Sequence, residues 1–147
     1  MIPRRIILHH TAGGTLRGAE DTLRKRGLAY HYMIDKDGSV HKYHSPTDYA
    51  AHAAGHNQGS VGIAFVGGGS FGPVNINQYD ALIKLANVLI REHPTITTIT
   101  GHKHVSSLGK IDPRWPGEPA NGVDLDVDRQ WMTKIQSETG LTLILKI

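Results

Sequence analysis

His102, His104, Lys110 and Asp112 fall within one short stretch, residues 101–113, which also carries Gly101, Gly109, Ser106 and Ser107. Imidazole nitrogens and carboxylate oxygens are donors that zinc accepts. Nine residues separate His102 from Asp112, enough for the chain to fold back and turn both side chains toward one ion. A zinc site takes four ligands in a tetrahedron, and a catalytic one keeps a position for water. A third protein ligand must then come from elsewhere. His9 or His10 supplies it if the strand that ends there and the strand that precedes Gly101 finish on the same side of one sheet. The same spacing also fits a set of exposed histidines with Asp112 as a turn residue. The chain has no cysteine, so thiolate ligands and disulfides are excluded.

The elements that must position these groups follow from hydrophobic periodicity. Residues 4–11 read as a strand in which Ile6, Ile7 and Leu8 are all apolar, as where both faces are covered. Residues 15–26 read as a helix with Leu16, Ala19 and Leu23 on one side, stopped by Gly27. A hairpin follows, with strand 29–34, turn 35–38 and return strand 39–43. Residues 44–59 make a loop long enough to suggest a functional surface. Residues 60–66 read as a buried central strand that exits through Gly67, Gly68 and Gly69. Asn77 is the expected N-cap of the clearest amphipathic helix, with Asp80 at its third position and Tyr79, Leu82, Ile83, Ala86, Leu89 and Ile90 on one face. Pro94 ends it, and the β-branched run 96–100 is a strand. A last helix starts at Asp126 or Asp128, turns Trp131 and Ile135 inward and stops at Gly140, and residues 141–147 form a terminal strand. Strands separated by helices, with one hairpin, make an α/β fold: a central mixed sheet flanked by helices, in a single domain over residues 1–147.

The net charge of +3 comes without a Lys/Arg stripe interleaved with aromatics; the densest basic cluster is Arg24-Lys25-Arg26. Nucleic-acid binding is not expected, whereas attraction to a polyanionic surface such as a bacterial wall is compatible with this balance. The longest apolar runs, Ile6-Ile7-Leu8 and Leu143-Ile144-Leu145, are too short for a signal peptide or a membrane span. The expectation is a soluble monomer with no membrane anchor, cytoplasmic in the producing cell.

Several ordered pieces sharpen this reading. They are Ile7-Leu8-His9-His10-Thr11-Ala12-Gly13, then Tyr30-His31-Tyr32-Met33-Ile34 with Asp37-Gly38, then His52-Ala53, then Asn57 with Ser60-Val61-Gly62-Ile63, and last Gly101-His102 with Lys110-Ile111-Asp112-Pro113. In this order they resemble the zinc-dependent N-acetylmuramoyl-L-alanine amidases of the type 2 group, which include small phage endolysins, bacterial peptidoglycan-recycling amidases and animal peptidoglycan recognition proteins. Each piece alone is weak; the ordered set, spanning residues 6–113, is specific.

The resemblance implies one zinc ion held by His9, His102 and Asp112. It selects the first of each pair, His9 over His10 and His102 over His104. Alternation along a strand places His9 and His10 on opposite faces, which leaves His10 to packing or support of the site. The family's third ligand is a cysteine in some members and an aspartate in others; Asp112 agrees with the absence of cysteine. Lys110 matches a lysine placed to stabilise the oxyanion that forms when the amide is attacked, and Tyr30 matches a catalytic tyrosine that positions water or passes a proton. Some recycling amidases use a glutamate at the end of the strand that here reads Ser60-Val61-Gly62-Ile63; the residue in that place is Ala64. His52 and Asn57, on the long loop, are expected substrate contacts. The implied activity is hydrolysis of the amide between N-acetylmuramic acid and L-alanine in bacterial peptidoglycan or muropeptides. The implied role is that of a phage endolysin reaching the wall after release or export, with a recycling or effector amidase, or a binding module without activity, as rivals. One departure lies past the last ligand, where Pro113-Arg114-Trp115-Pro116-Gly117 replaces the family's usual signature.

Overall fold

Alternation along the first strand divides the molecule into two faces. The computed structural model describes residues 1–68, 71–102 and 129–144. Within it, β1 (Arg5–His10) lies between β4 (Ser60–Phe65) and β5 (Thr98–Gly101) and pairs with both in parallel. β2 (Tyr32–Ile34) adds in parallel to β4, and β3 (Val40–Lys42) adds antiparallel to β2. β6 (Thr142–Leu143) adds in parallel to β5. The sheet is therefore mixed and six-stranded, in the order β3-β2-β4-β1-β5-β6. Its helices among the described residues are α1 (Leu16–Arg26), α2 (Ile76–Glu92) and α3 (Arg129–Thr139). This is the α/β architecture that the sequence leads one to expect.

Ile6 and Leu8 join Val61, Ile63 and Phe65 on one face, where α2 and α3 cover them with Tyr79, Leu82, Ala86, Leu89, Met132 and Ile135. Each such side chain contributes on the order of 1.5–3 kcal/mol by leaving water. Trp131 closes the edge of this core by stacking on Tyr79, ring centroids 4.9 Å apart. Ile7 and His9 occupy the other face, in register with Gly62 and Ala64 of β4. There α1 sets Leu16, Ala19 and Leu23 against Tyr30, Met33 and Ala64. The 44–59 loop covers the remainder and lays Ala53 on Ile7.

The ends of the elements show where local chemistry is decisive. α1 begins as expected: the Thr15 hydroxyl accepts the Gly18 N–H at 3.0 Å, and Gly27 closes the helix at a left-handed φ of 65°. α2 corrects the expected cap, because it starts at Asn75 and not at Asn77. The Asn75 side chain accepts the Gln78 N–H at 3.0 Å and the Gln78 side chain accepts the Asn75 N–H at 3.1 Å, a reciprocal capping box. Gln78 also donates to the carbonyls of Ile34 and Val66, which pins the helix start to the ends of β2 and β4. The second strand is shorter than residues 29–34. Ala29 bonds instead to Ala51 in the long loop, so Tyr30 enters the interior from an irregular segment. The fifth strand lies slightly later than the expected 96–100, because Ile96 turns back to bond the His93 carbonyl at 3.0 Å. The expected start of the last helix and residues 145–147 lie outside the described residues. No helix among the described residues is long and apolar enough to cross a membrane.

Candidate active site

β1 and β5 are parallel neighbours, so their carboxyl ends lie on the same side of the sheet. That meets the condition for bringing residue 9 to residue 102. The His9 and His102 rings are 4.5 Å apart, centroid to centroid, and inclined at 50°. Tyr30 completes the cluster, its ring 4.8 Å from that of His9. His9 is fully buried and Tyr30 nearly so. His10 lies on the opposite side of β1, where its ring packs on Gly68 so closely that a Cβ there would approach within 2.5 Å. Asp112, Lys110 and His104 lie outside the described residues. Among the described residues no group of three metal-capable side chains converges.

The histidines of this face form a connected set. His9 Nε2 is 3.0 Å from His52 Nδ1, and His52 Nε2 is 3.3 Å from the Ser60 carbonyl oxygen. His31, which the sequence reading passes over, is fully buried with both ring nitrogens engaged. Its Nδ1 accepts the Gly62 N–H at 3.0 Å and its Nε2 donates to the Asp48 carbonyl at 2.7 Å. His9 Nδ1 is different: it is buried and has no hydrogen-bond partner among the described residues. A buried polar nitrogen left without a partner costs on the order of 1–3 kcal/mol, unless another group uses its lone pair. A metal ion is such a group, and neutral imidazole is the form that ligates. Burial pushes the His9 pKa well below its ordinary value, and the charge on His102, His52 and other neighbouring imidazoles would push it the same way. Burial, with the charge of His31, lowers His52 to about 3. Burial lowers His31 too, against its hydrogen bond to the Asp48 carbonyl, which raises it. All three are neutral at physiological pH, and His9 offers a bare nitrogen. The residues present thus fit a metal at His9.

Burial pushes the Tyr30 phenol up to about 12, with the Arg26 guanidinium pulling the other way. Tyr30 therefore keeps its proton throughout the neutral range. In register with His9 on β4 stands Ala64, so no carboxylate occupies that place. Tyr30 also forms a wall of a cavity of about 240 Å³ between α1 and the β2–β3 hairpin, with Glu20, Arg24, Tyr43 and His44 among its other residues.

His52 is buried and Asn57 partly so, and both residues expected at the substrate are engaged in hydrogen bonds within the protein. His52 is only 7% exposed, and both its ring nitrogens are within hydrogen-bond reach of protein groups. Asn57 Oδ1 accepts the N–H groups of His52 and Ala53 at 2.9 and 2.6 Å, and its amide donates to the Tyr49 hydroxyl at 3.1 Å. Asn57 thereby shapes the loop that carries His52. A signal for this was present in β4, where Ser60, Gly62 and Ala64 are small at alternate positions and leave room on one face.

With this geometry in place, comparison with known proteins locates the chain. Peptidoglycan-recognition protein SD of Drosophila melanogaster is 30% identical over 133 residues, spanning 80% of this chain and 68% of the relative. The 1,6-anhydro-N-acetylmuramyl-L-alanine amidase AmpD of Haemophilus influenzae is 34% identical over 96 residues, 58% of this chain and 52% of that protein. Among solved structures, the endolysin N-acetylmuramoyl-L-alanine amidase LysCS from Clostridium intestinale matches with a TM-score of 0.69 at 25% identity, covering 95% of this chain and 85% of that one. The family model described as N-acetylmuramoyl-L-alanine amidase matches residues 1–115. That span takes in His9, Tyr30, His52 and His102 alike, and the chain belongs to the N-acetylmuramoyl-L-alanine amidase family.

Proposed function

We propose that this protein is a zinc-dependent N-acetylmuramoyl-L-alanine amidase that cleaves the amide between N-acetylmuramic acid and L-alanine in bacterial peptidoglycan. We further propose that it serves as a phage endolysin, made in the cytoplasm of the producing cell and acting on the wall after release. The observation that carries the reading is the buried Nδ1 of His9, left without a hydrogen bond among the described residues, in a ring 4.5 Å from that of His102. His9, His102 and Asp112 would hold one zinc ion. When bound, such an ion polarises a carbonyl and brings the pKa of a coordinated water toward about 7. Tyr30, protonated and packed on His9, positions the attacking water and conducts a proton toward the departing L-alanine amine. Lys110 stabilises the oxyanion; removing such a donor typically costs on the order of 10²–10³ in rate. The likeness to LysCS supports the lytic role, as does Ala64 in the place where some recycling amidases carry a glutamate.

The test is zinc quantification on the purified chain together with digestion of intact sacculi and of soluble anhydromuropeptides. One zinc per chain and new L-alanine amines from sacculi support the proposal. Cleavage of soluble fragments alone moves the protein to recycling. Tight binding to walls with no amine released makes it a recognition protein and overturns the enzymatic reading.

A further inference from the structure

The unbonded nitrogen of His9 has a structural cause, which begins at a backbone carbonyl in β4. A carbonyl oxygen only accepts, so His52 Nε2, 3.3 Å from the Ser60 oxygen, carries the ring proton. In a neutral imidazole the other nitrogen, Nδ1, is then an acceptor. The 3.0 Å contact between His52 Nδ1 and His9 Nε2 therefore requires the proton on His9 Nε2. His9 is left with a bare lone pair on Nδ1, the buried nitrogen without a hydrogen bond among the described residues. Two hydrogen bonds, from Ser60 through His52 to His9, select one tautomer at the far end.

The position of His52 is held from several sides. Its ring sits against Gly62, where a Cβ would lie 2.6 Å from Cγ and 2.8 Å from Nδ1. Only glycine on β4 leaves that space. The Asn57 side chain holds the His52 backbone N–H at 2.9 Å. The His31 ring meets His52 edge-on at 5.6 Å, and is itself fastened to the Gly62 N–H. His52 is thus placed to turn toward His9 and away from solvent.

We infer that His52 is a positioning residue: it relays the Ser60 carbonyl to His9 and holds His9 in the Nε2–H tautomer, so that Nδ1 is presented to the metal. The inference rests on the reading of His9 as a zinc ligand. Partners of this kind fix ring orientation, and their removal typically costs about 10–100-fold in metal affinity or activity.

Two measurements on the whole chain test it. Long-range nitrogen–proton NMR of the chelator-treated protein reads which ring nitrogen of His9 and of His52 is protonated. Competition with a chromophoric chelator reads zinc affinity. The wild-type protein is expected to show the proton on Nε2 of both rings. His52→Leu should give a mixture of His9 tautomers and a zinc affinity about 10–100-fold weaker. His52→Asn sets an amide oxygen near the former Nδ1; it should restore the His9 tautomer and most of the affinity. A His9 proton found on Nδ1 in the wild-type protein overturns the relay, as does wild-type zinc affinity in folded His52→Leu. If His52→Leu does not fold, the wild-type tautomers and the Asn variant decide. Failure of the wild-type chain to bind zinc overturns the metal reading instead, while the NMR assignment still decides the relay.

Discussion

The two faces of the sheet use the same strands under opposite rules. Toward α2 and α3, β1 and β4 present Ile6, Leu8, Val61, Ile63 and Phe65, and the helices fill the space with Tyr79, Leu82 and Leu89. Toward the 44–59 loop the same strands present Ile7, His9, Ser60, Gly62 and Ala64. The first face is stabilised by volume. The second gives volume up: small residues on β4 make room for imidazoles delivered by β1, by the segment before β2 and by the loop. Burying those rings is tolerable because nearly every nitrogen is bonded, His31 and His52 at both positions. The difference teaches that the His9 nitrogen proposed to meet the metal is the one left over once the other nitrogens of His9, His31 and His52 are satisfied.

Breaking the polar face at its chemistry should have the largest effect. Tyr30→Phe keeps the ring against His9 and Ala64 and removes only the hydroxyl. Amidase turnover should fall on the order of 10²–10⁴-fold, with zinc content by elemental analysis unchanged. Near-normal turnover would assign Tyr30 to packing alone. On the other face, Leu82→Ala removes a fully buried side chain. Urea denaturation should show a loss of about 2–5 kcal/mol, while zinc affinity of the folded protein stays put. A matching loss of zinc affinity would show that the two faces are not independent.

Smaller in energy but more telling is Gly62→Ala. Its methyl would meet the His52 ring at 2.6–2.8 Å, and overpacking of this kind typically costs about 1–3 kcal/mol. Here stability and zinc affinity should fall together, since the ring that must move is the one that holds His9. Loss of stability alone would separate the glycine from the metal site.

The mildest test is pH. His9, His31 and His52 are neutral in the fold, with pKa values below the ordinary 6.5, and His52 is lowered to about 3. Below pH 6.5 the unfolded chain binds protons that the folded chain refuses, so stability present above that value is lost as pH falls toward the folded pKa values. In chelator, the melting temperature should drop between pH 6.5 and about pH 4. Ile6, Leu8, Val61, Ile63 and Phe65 on the apolar face carry nothing that titrates and add nothing to such a slope. A flat profile would mean that the imidazoles are less buried than they stand here.

Much of the framework was legible because its causes are local. Three apolar residues in a row marked β1 as covered on both sides, and the spacing of Tyr79, Leu82, Ala86 and Leu89 marked α2. Thr15 and Gly27 bounded α1 by their own hydrogen bonds and backbone angles. The start of α2 was misread because Asn75 and Asn77 are both plausible caps, and the reciprocal bond of Gln78 selects the first. His9, Tyr30 and His102 were singled out by the ordered motifs; the parallel pairing of β1 with β5 brings His9 to His102, and the pairing of β2 and β1 with β4 brings Tyr30 to His9.

By itself the sequence determined the α/β alternation and the family, and it singled out the residues proposed to carry the chemistry. Only the tertiary structure decided what His52 does. A lone histidine in a long loop has the same local signature whether it meets substrate or supports a neighbour. Its partner His9 is 43 residues away, and its acceptor is a carbonyl that every residue possesses. A tautomer is chosen by a chain of hydrogen bonds across three segments, and no single segment contains that choice.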